Sequence, residues 1–432
     1  MKIAQLMPGV GGGFYCENCL RDAALARALR KLGHDPMLVP LYLPLAIEKP
    51  GDVPTAPVFF GGINVYLQQK SALFRKTPRW VDRLFDSARL LRWAARRAGM
   101  TNAKDLAATT LSMLRGEHGR QAKELDRLVH WLATEERPDL VCLSNALLVG
   151  VVRSLKATLR VPVVCWLQDE DIFLDTLPEP EREEAWRAVA ERAADVDAFI
   201  AVSRYFADLM RERLAIPVNR VHVVHSGIPL DGYEPAASPP EPPALGFLER
   251  QCSAMGLDTL VEAFAALRRS GKFGGLKLRV AGGSMPEDKP FLRTVRRQLA
   301  AEGLDGDAEF LPNLDRAGRQ AFLRSLSVLC VPTRHGEAFG MYVLESLASG
   351  VPVVLPRRGA FPELVEATGG GLLFEPDDTA GLVAALESLL SNPARAGELG
   401  RRGREAVLDR FGAERSAREV AGIFEAAVAR HR

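Results

Sequence analysis

Strand-like and helix-like segments alternate twice along this chain, with a stretch between the two runs that reads as neither. Lys2 to Met7 reads as a buried strand and Gly9 to Gly13 as a glycine-rich loop. Leu20 to Leu32 reads as a helix, and a strand starts at Met37. The alternation resumes at Leu140 to Leu143 and a helix near Leu147 to Leu159. Val163 to Leu167, a helix near Glu181 to Ala194, Ala198 to Val202 and Val221 to Val224 follow. Then Tyr233 to Ala244, YEPAASPPEPPA, places five prolines in twelve residues without helical or strand periodicity, the composition of a semi-rigid linker. Beyond it the pattern restarts at Leu245 to Leu248 and runs to Pro352 to Leu355. Strands alternating with helices specify parallel, doubly wound sheets, and two such runs specify two Rossmann-like domains. Ligands of such sheets bind at the carboxyl ends of the strands, so a cleft between the domains is expected.

The second run contains PTRHGEAFGMYVLESLASGVPVVLP, from Pro332 to Pro356. Val328 to Val331 reads as a buried strand, and Met341 to Ser349 as a helix ended by Gly350. Glu337 therefore lies in the loop and Glu345 about one turn into the helix. Gly336 and Gly340 let backbone N–H groups approach a ligand, and the helix N-terminus suits an anion. Taken singly, the acids are solvated residues at a helix start. Together, hydroxyl-binding carboxylates beside a phosphate-binding helix end are what a nucleotide-diphosphate sugar requires.

The sequence Glu, Phe-Gly, Glu, small residue, Gly-x-Pro-Val-Val resembles the donor-sugar signature of family-4 glycosyltransferases, a retaining group with the GT-B fold. The resemblance implies a donor site of His335, Gly336, Glu337, Ala338, Phe339, Gly340 and Glu345. Glu337 would bind sugar hydroxyls and Glu345 the ribose. Leu245 to Asp258, LGFLERQCSAMGLD, matches the family's strand, its diphosphate-binding arginine (Arg250) and a helix-opening glycine (Gly256). The family's lysine is replaced by Met255, so a cation from elsewhere, Arg334 or His335, substitutes, or turnover is slow or absent. Gly12 and Gly13 match a loop near the donor phosphates. A dehydrogenase would show G-x-G-x-x-G and an acid after the second strand, where Val39-Pro40-Leu41-Tyr42 stands instead. Gln168 occupies a position that often holds a histidine. An amide cannot act as a base near pH 7, and in this family the leaving phosphate is thought to take the acceptor proton. The catalytic set is thus Glu337, Gln168 and Arg250. No D-x-D motif is present in a suitable strand context, so no metal and no cofactor beyond the nucleotide sugar is expected.

The domains are expected at 1–232 and 244–408, with a helical insertion at about 64–130 in the first. A C-terminal helix, 413–432, would cross back to complete the first domain. Asp169 and Glu170 are read as orienting an acceptor hydroxyl, as capping the next helix, or as solvated. Cys16, in a lone Cys16-x-x-Cys19 pair, lacks the other half of a zinc site; packing, a redox pair or a wall of the acceptor site remain open. From Ser71 to Met100 eight Lys or Arg face two Asp. That segment is a solvated hairpin or a surface for anionic lipid or acceptor. The formal net charge of +2 gives no argument for nucleic acid. No apolar run of about 18 residues suggests a membrane span, and no signal peptide is read. The expectation is a cytoplasmic protein, with peripheral contact at the inner membrane face as an option and a carbohydrate, lipid-linked or small-molecule acceptor. Rival readings are a weakened sugar-nucleotide-binding protein and a GT-B sugar-nucleotide epimerase.

Overall fold

The computed structural model describes residues 1–9, 17–42, 53–60 and 103–431. Gly12, Gly13, Cys16, the basic stretch Ser71 to Met100 and the 64–102 part of the insertion lie outside the described residues. The described remainder of the insertion forms helices Ala103–Leu114 and Ala122–Trp131. No helix among the described residues is long and apolar enough to cross a membrane.

The chain divides into two compact units. One takes in the first strand, Asn18–His225 and Ser416–Arg432, so the final helix, Ala413–His431, returns to the N-terminal unit. The other is built on Ser226–Arg415. The division thus falls before the proline-rich stretch, which lies within the second unit. The reason is packing: Tyr233, at the head of that stretch, is 2% exposed.

The first unit holds a parallel sheet of six strands: β1 (Lys2–Met7), β2 (Asp35–Pro40), β3 (Leu140–Leu143), β4 (Val163–Leu167), β5 (Ala198–Ala201) and β6 (Val221–Val223). Their order is β2-β1-β3-β4-β5-β6. β3, β4 and β5 are buried at every position, as a sheet covered on both faces requires. The order reverses between β1 and β3, whose register pairs Ile3 with Leu140 and Leu6 with Leu143. Ser203 caps the helix Arg204–Leu214, its hydroxyl accepting from the Phe206 N–H.

The second unit repeats the plan with β7 (Ala244–Leu248), β8 (Lys277–Ala281), β9 (Ala308–Leu311), β10 (Val328–Cys330), β11 (Val353–Pro356) and β12 (Gly371–Phe374). Its order, β12-β11-β10-β7-β8-β9, is the dinucleotide-fold order. The reversal lies between β7 and β10, where Val328 pairs with Leu245 and Leu329 with Gly246. At such a reversal the connections leave in opposite directions and open a crevice at the carboxyl ends. Arg250 follows β7 and the Glu337 loop follows β10, so both arise at this point.

Candidate functional site

The loop after β10 is held by backbone, and glycine makes that possible. Glu337 is 6% exposed, while Ala338 and Phe339 are fully buried. Its carbonyl accepts from the Ala360 N–H at 2.9 Å. Gly359 has φ +61°, and a Cβ there would lie 2.4 Å from the Glu337 nitrogen, so only glycine lets the two segments approach. Gly340, at φ +87°, turns the chain into the helix Met341–Ala348. Glu337 is therefore no solvated loop acid, as a local reading of helix-start acids had it. His335 Nε2 lies 4.0 Å from Glu337 Oε2. Burial, with the nearby Arg358 cation adding to it, holds the His335 imidazole below its ordinary value and so neutral at pH 7.

Glu345 is 3% exposed on the same helix. Its Oε1 accepts from the Tyr233 hydroxyl at 2.6 Å and from Arg319 Nε and Nη2 at 3.4 and 3.3 Å. Arg250 makes a two-pronged pair with Asp288, Nε to Oδ2 at 2.9 Å and Nη2 to Oδ1 at 3.0 Å, and reaches Glu287 at 3.2 Å. The Arg250 side chain remains 41% exposed while these bonds fix its guanidinium's orientation.

Met255 ends the short turn Ser253–Met255. Gly256, at φ +73°, follows; a Cβ there would lie 1.9 Å from the Pro332 carbonyl oxygen. Arg334 lies against this turn. Its N–H donates to the Ala254 carbonyl at 2.9 Å, and Nη1 donates to the Ser253 carbonyl at 2.8 Å. Nη2 donates to Asp258 at 2.9 Å. Of the two cations expected to stand in for the missing lysine, Arg334 is charged and beside the turn, whereas His335 is neutral.

In the first unit the carboxyl edge of the sheet carries a buried polar network. Gln168, just past β4 and 1% exposed, accepts at Oε1 from Arg21 Nη1 at 2.6 Å. Arg21 also bonds Asp22 at 2.8 Å and the Ser144 carbonyl at 2.7 Å, and its guanidinium lies 4.4 Å from the Trp166 ring centre. Asp169 follows with φ +62° and makes no side-chain cap to the helix Glu170–Asp175. For Glu170 solvation does not describe what is found. The side chain is fully buried, and its oxygens accept from the Ala146 N–H at 2.7 Å and the Gln168 N–H at 2.8 Å. Both oxygens serve the loops after β3 and β4. Burial outweighs those amides and pushes its carboxyl up to about 8.

A folded value above the unfolded one means that the native state holds the extra proton between pH 4.5 and about 8. Stability from this group is full below 4.5 and is lost as pH rises to 8. Glu170→Gln sets an amide NH₂ against one backbone donor and should cost about 1–3 kcal/mol. It should also remove that part of the decline with pH. Urea unfolding at pH 5, 7 and 8.5 checks both; an unchanged slope between pH 5 and 8.5 refutes the pH part.

Sequence reasoning missed Arg21, Asp22 and Ser144, as well as Tyr233, Arg319 and Asp288. Apart from the adjacent Arg21–Asp22 pair, their partners lie tens to more than a hundred residues away, and only Arg21 carried a signal, a charge inside the apolar run of a helix.

Two family models match the chain. "Glycosyl transferases group 1" covers residues 234–406 and "Glycosyltransferase Family 4" residues 109–231. The glycogen synthase of Mycobacterium tuberculosis is 25% identical over 80% of this chain and 82% of its own length. The MMP alpha-(1->4)-mannosyltransferase of Mycolicibacterium hassiacum is 36% identical over 26% of this chain, a match that spans 27% of that relative. Among solved structures, sucrose-phosphate synthase from Thermosynechococcus elongatus superposes with a TM-score of 0.75 at 18% identity, over all of both chains. Anabaena HepE in complex with UDP gives 0.72 at 16%, covering 99% of this chain and all of that one. The two parallel six-stranded sheets, the two adjoining family matches and these structural neighbours agree: the chain belongs to the group 1, family-4 glycosyltransferases of GT-B fold.

Proposed function

We propose that this protein is a retaining, metal-independent transferase that moves a hexose from a nucleotide-diphosphate sugar to an acceptor hydroxyl. The observation that carries the reading is the buried Glu337–Gly340 turn, which arises at the second sheet's reversal beside the strand that delivers Arg250. In the reaction the bond from the anomeric carbon to the leaving phosphate breaks. The acceptor oxygen bonds that carbon on the same face, and its proton passes to the leaving phosphate oxygen. No side-chain base is required, which agrees with an amide at Gln168. Glu337 meets the sugar hydroxyls, the amides of Phe339 and Gly340 meet sugar and phosphate, and Glu345 holds the ribose. Arg250 and Arg334 take the diphosphate charge in place of a metal. Hexose is favoured because one relative is named a mannosyltransferase and HepE is also solved with UDP-glucose. The acceptor is assigned to the N-terminal unit as a carbohydrate, lipid-linked or small molecule, and the setting to the cytoplasm.

A thermal-shift panel of UDP-, GDP- and ADP-sugars, followed by turnover with and without EDTA, tests this. One donor at about 100 times its Kd should raise stability by about 2.7 kcal/mol. No shift with any donor refutes the site, and loss of turnover in EDTA refutes metal independence. Met255 and the acids around Arg250 favour a second reading, a sugar-nucleotide-binding protein with weakened catalysis. A shift without donor consumption would select it.

Met255→Lys restores a charge beside the turn that Arg334 braces. It should tighten binding of the free nucleoside diphosphate by roughly tenfold, about 1.4 kcal/mol, as read by calorimetry. No gain with UDP, GDP or ADP would mean that Arg334 already fills the role.

A further inference from the structure

Glu345 does not stand alone in the second unit; it is one of three side chains, from separate parts of the chain, that are bonded together. Tyr233 comes from the head of the proline-rich stretch, Arg319 from the helix Arg316–Arg324, and Glu345 from the helix Met341–Ala348. All three are at most 5% exposed. The Tyr233 hydroxyl and two Arg319 nitrogens all donate to one carboxylate oxygen, Oε1. Burial, with Glu345 beside it, pushes the Tyr233 phenol up, so it stays protonated and donates. Tyr233 is itself held. Arg404 Nη1 donates to its carbonyl and to that of Ala348, at the end of the helix that bears Glu345. The Arg316 guanidinium lies 5.6 Å from its ring centre, and Arg316 Nη2 donates to the Asp231 carbonyl at 2.7 Å.

A carboxylate turns easily about its terminal torsion unless its donors prevent it. Three donors gathered on one oxygen set its plane, and with it the direction in which the second oxygen presents its lone pairs. A pair of neighbouring hydroxyls is read well only by a carboxylate of fixed plane, because both hydrogen bonds need near-linear geometry.

We propose that Tyr233 and Arg319 are positioning residues that set the donor site's preference for ribose over deoxyribose, by fixing the plane of Glu345. The inference rests on Glu345 as the ribose ligand. Its distinguishing feature is that removing one phenolic oxygen bonded to Glu345 should change how the nucleotide's own sugar is read. A merely structural tyrosine would weaken all nucleotides alike.

The experiment is calorimetric titration of wild type and Tyr233→Phe with UDP, GDP and ADP, each beside its 2′-deoxy counterpart. Phenylalanine keeps the ring against Arg316 and removes only the hydroxyl. For the nucleotide that binds, wild type should prefer the ribo form at least tenfold. In Tyr233→Phe the preference should fall to threefold or less, with affinity for the deoxy form unchanged. A variant that keeps the wild-type ratio, or loses both forms equally, overturns the inference while leaving the ribose assignment intact. A wild type with no preference overturns the ribose assignment and the inference with it. If Tyr233→Phe does not fold, Arg319→Lys carries the same comparison and is judged by the same ratios.

Discussion

Glu337→Ala is expected to lower kcat/KM for sugar transfer by more than a hundredfold, about 3 kcal/mol of transition-state stabilisation. The residue lies in a turn whose neighbours are fully buried and whose backbone is pinned by Ala360 and Gly359. The carboxylate therefore cannot be replaced by a small movement of the loop. Its burial means that alanine also costs stability, on the order of 1 kcal/mol, more than an exposed loop acid would. Glu337→Gln separates the two effects: it keeps the volume and removes the charge. Both variants should stay folded by circular dichroism at 25 °C, and both should lose transfer. Near wild-type consumption of donor by Glu337→Ala would refute the assignment of this loop to the sugar.

The largest stability effect should come from Arg21→Met. Arg21 is 2% exposed and satisfies Asp22, the Ser144 carbonyl and the Gln168 carboxamide at once. Removing it leaves a fully buried carboxylate without its cation, and breaking one side of a buried pair typically costs about 3–5 kcal/mol. The double change Arg21→Met with Asp22→Leu should recover much of that loss, because the stranded charge is gone as well. All five tryptophans precede Ser226 in the sequence, so tryptophan fluorescence in urea follows the N-terminal unit. A loss below about 1 kcal/mol for Arg21→Met would mean that water reaches Asp22 and the network is not structural.

How far the sequence foretold this molecule follows from which interactions are local. β1, β3 and β4 lie where apolar runs bounded by turn residues put them, because a strand buried on both faces needs only its own composition to be recognised. The Glu337 to Glu345 loop and helix could be read for the same reason, since one short segment sets the spacing. What could not be read was the set of partners. Tyr233 meets Glu345 across 112 residues and Arg21 meets Gln168 across 147. No pattern within a window carries such pairings. The family resemblance implied a diphosphate role for Arg250, yet its pairing with Asp288 depended on a turn nearly forty residues on. Proline content was the misleading cue. Five prolines describe a stretch without regular structure, but they do not say whether its first side chain is solvated or buried.

That buried side chain bears on how the protein can be cut into pieces. A C-terminal fragment begun at Ala244, the first residue of β7, would contain the whole second sheet and still be deficient. It would lack Tyr233 and the carbonyls of Pro229 and Asp231, to which Arg316 donates. Arg404 would lose its acceptor at Tyr233, and Glu345 would keep Arg319 as its partner with the phenol gone. A fragment begun at Ser226 retains all of these. Weak nucleotide binding by the shorter piece would then reflect where the cut was made, and would say nothing about how much of the donor site the intact unit supplies.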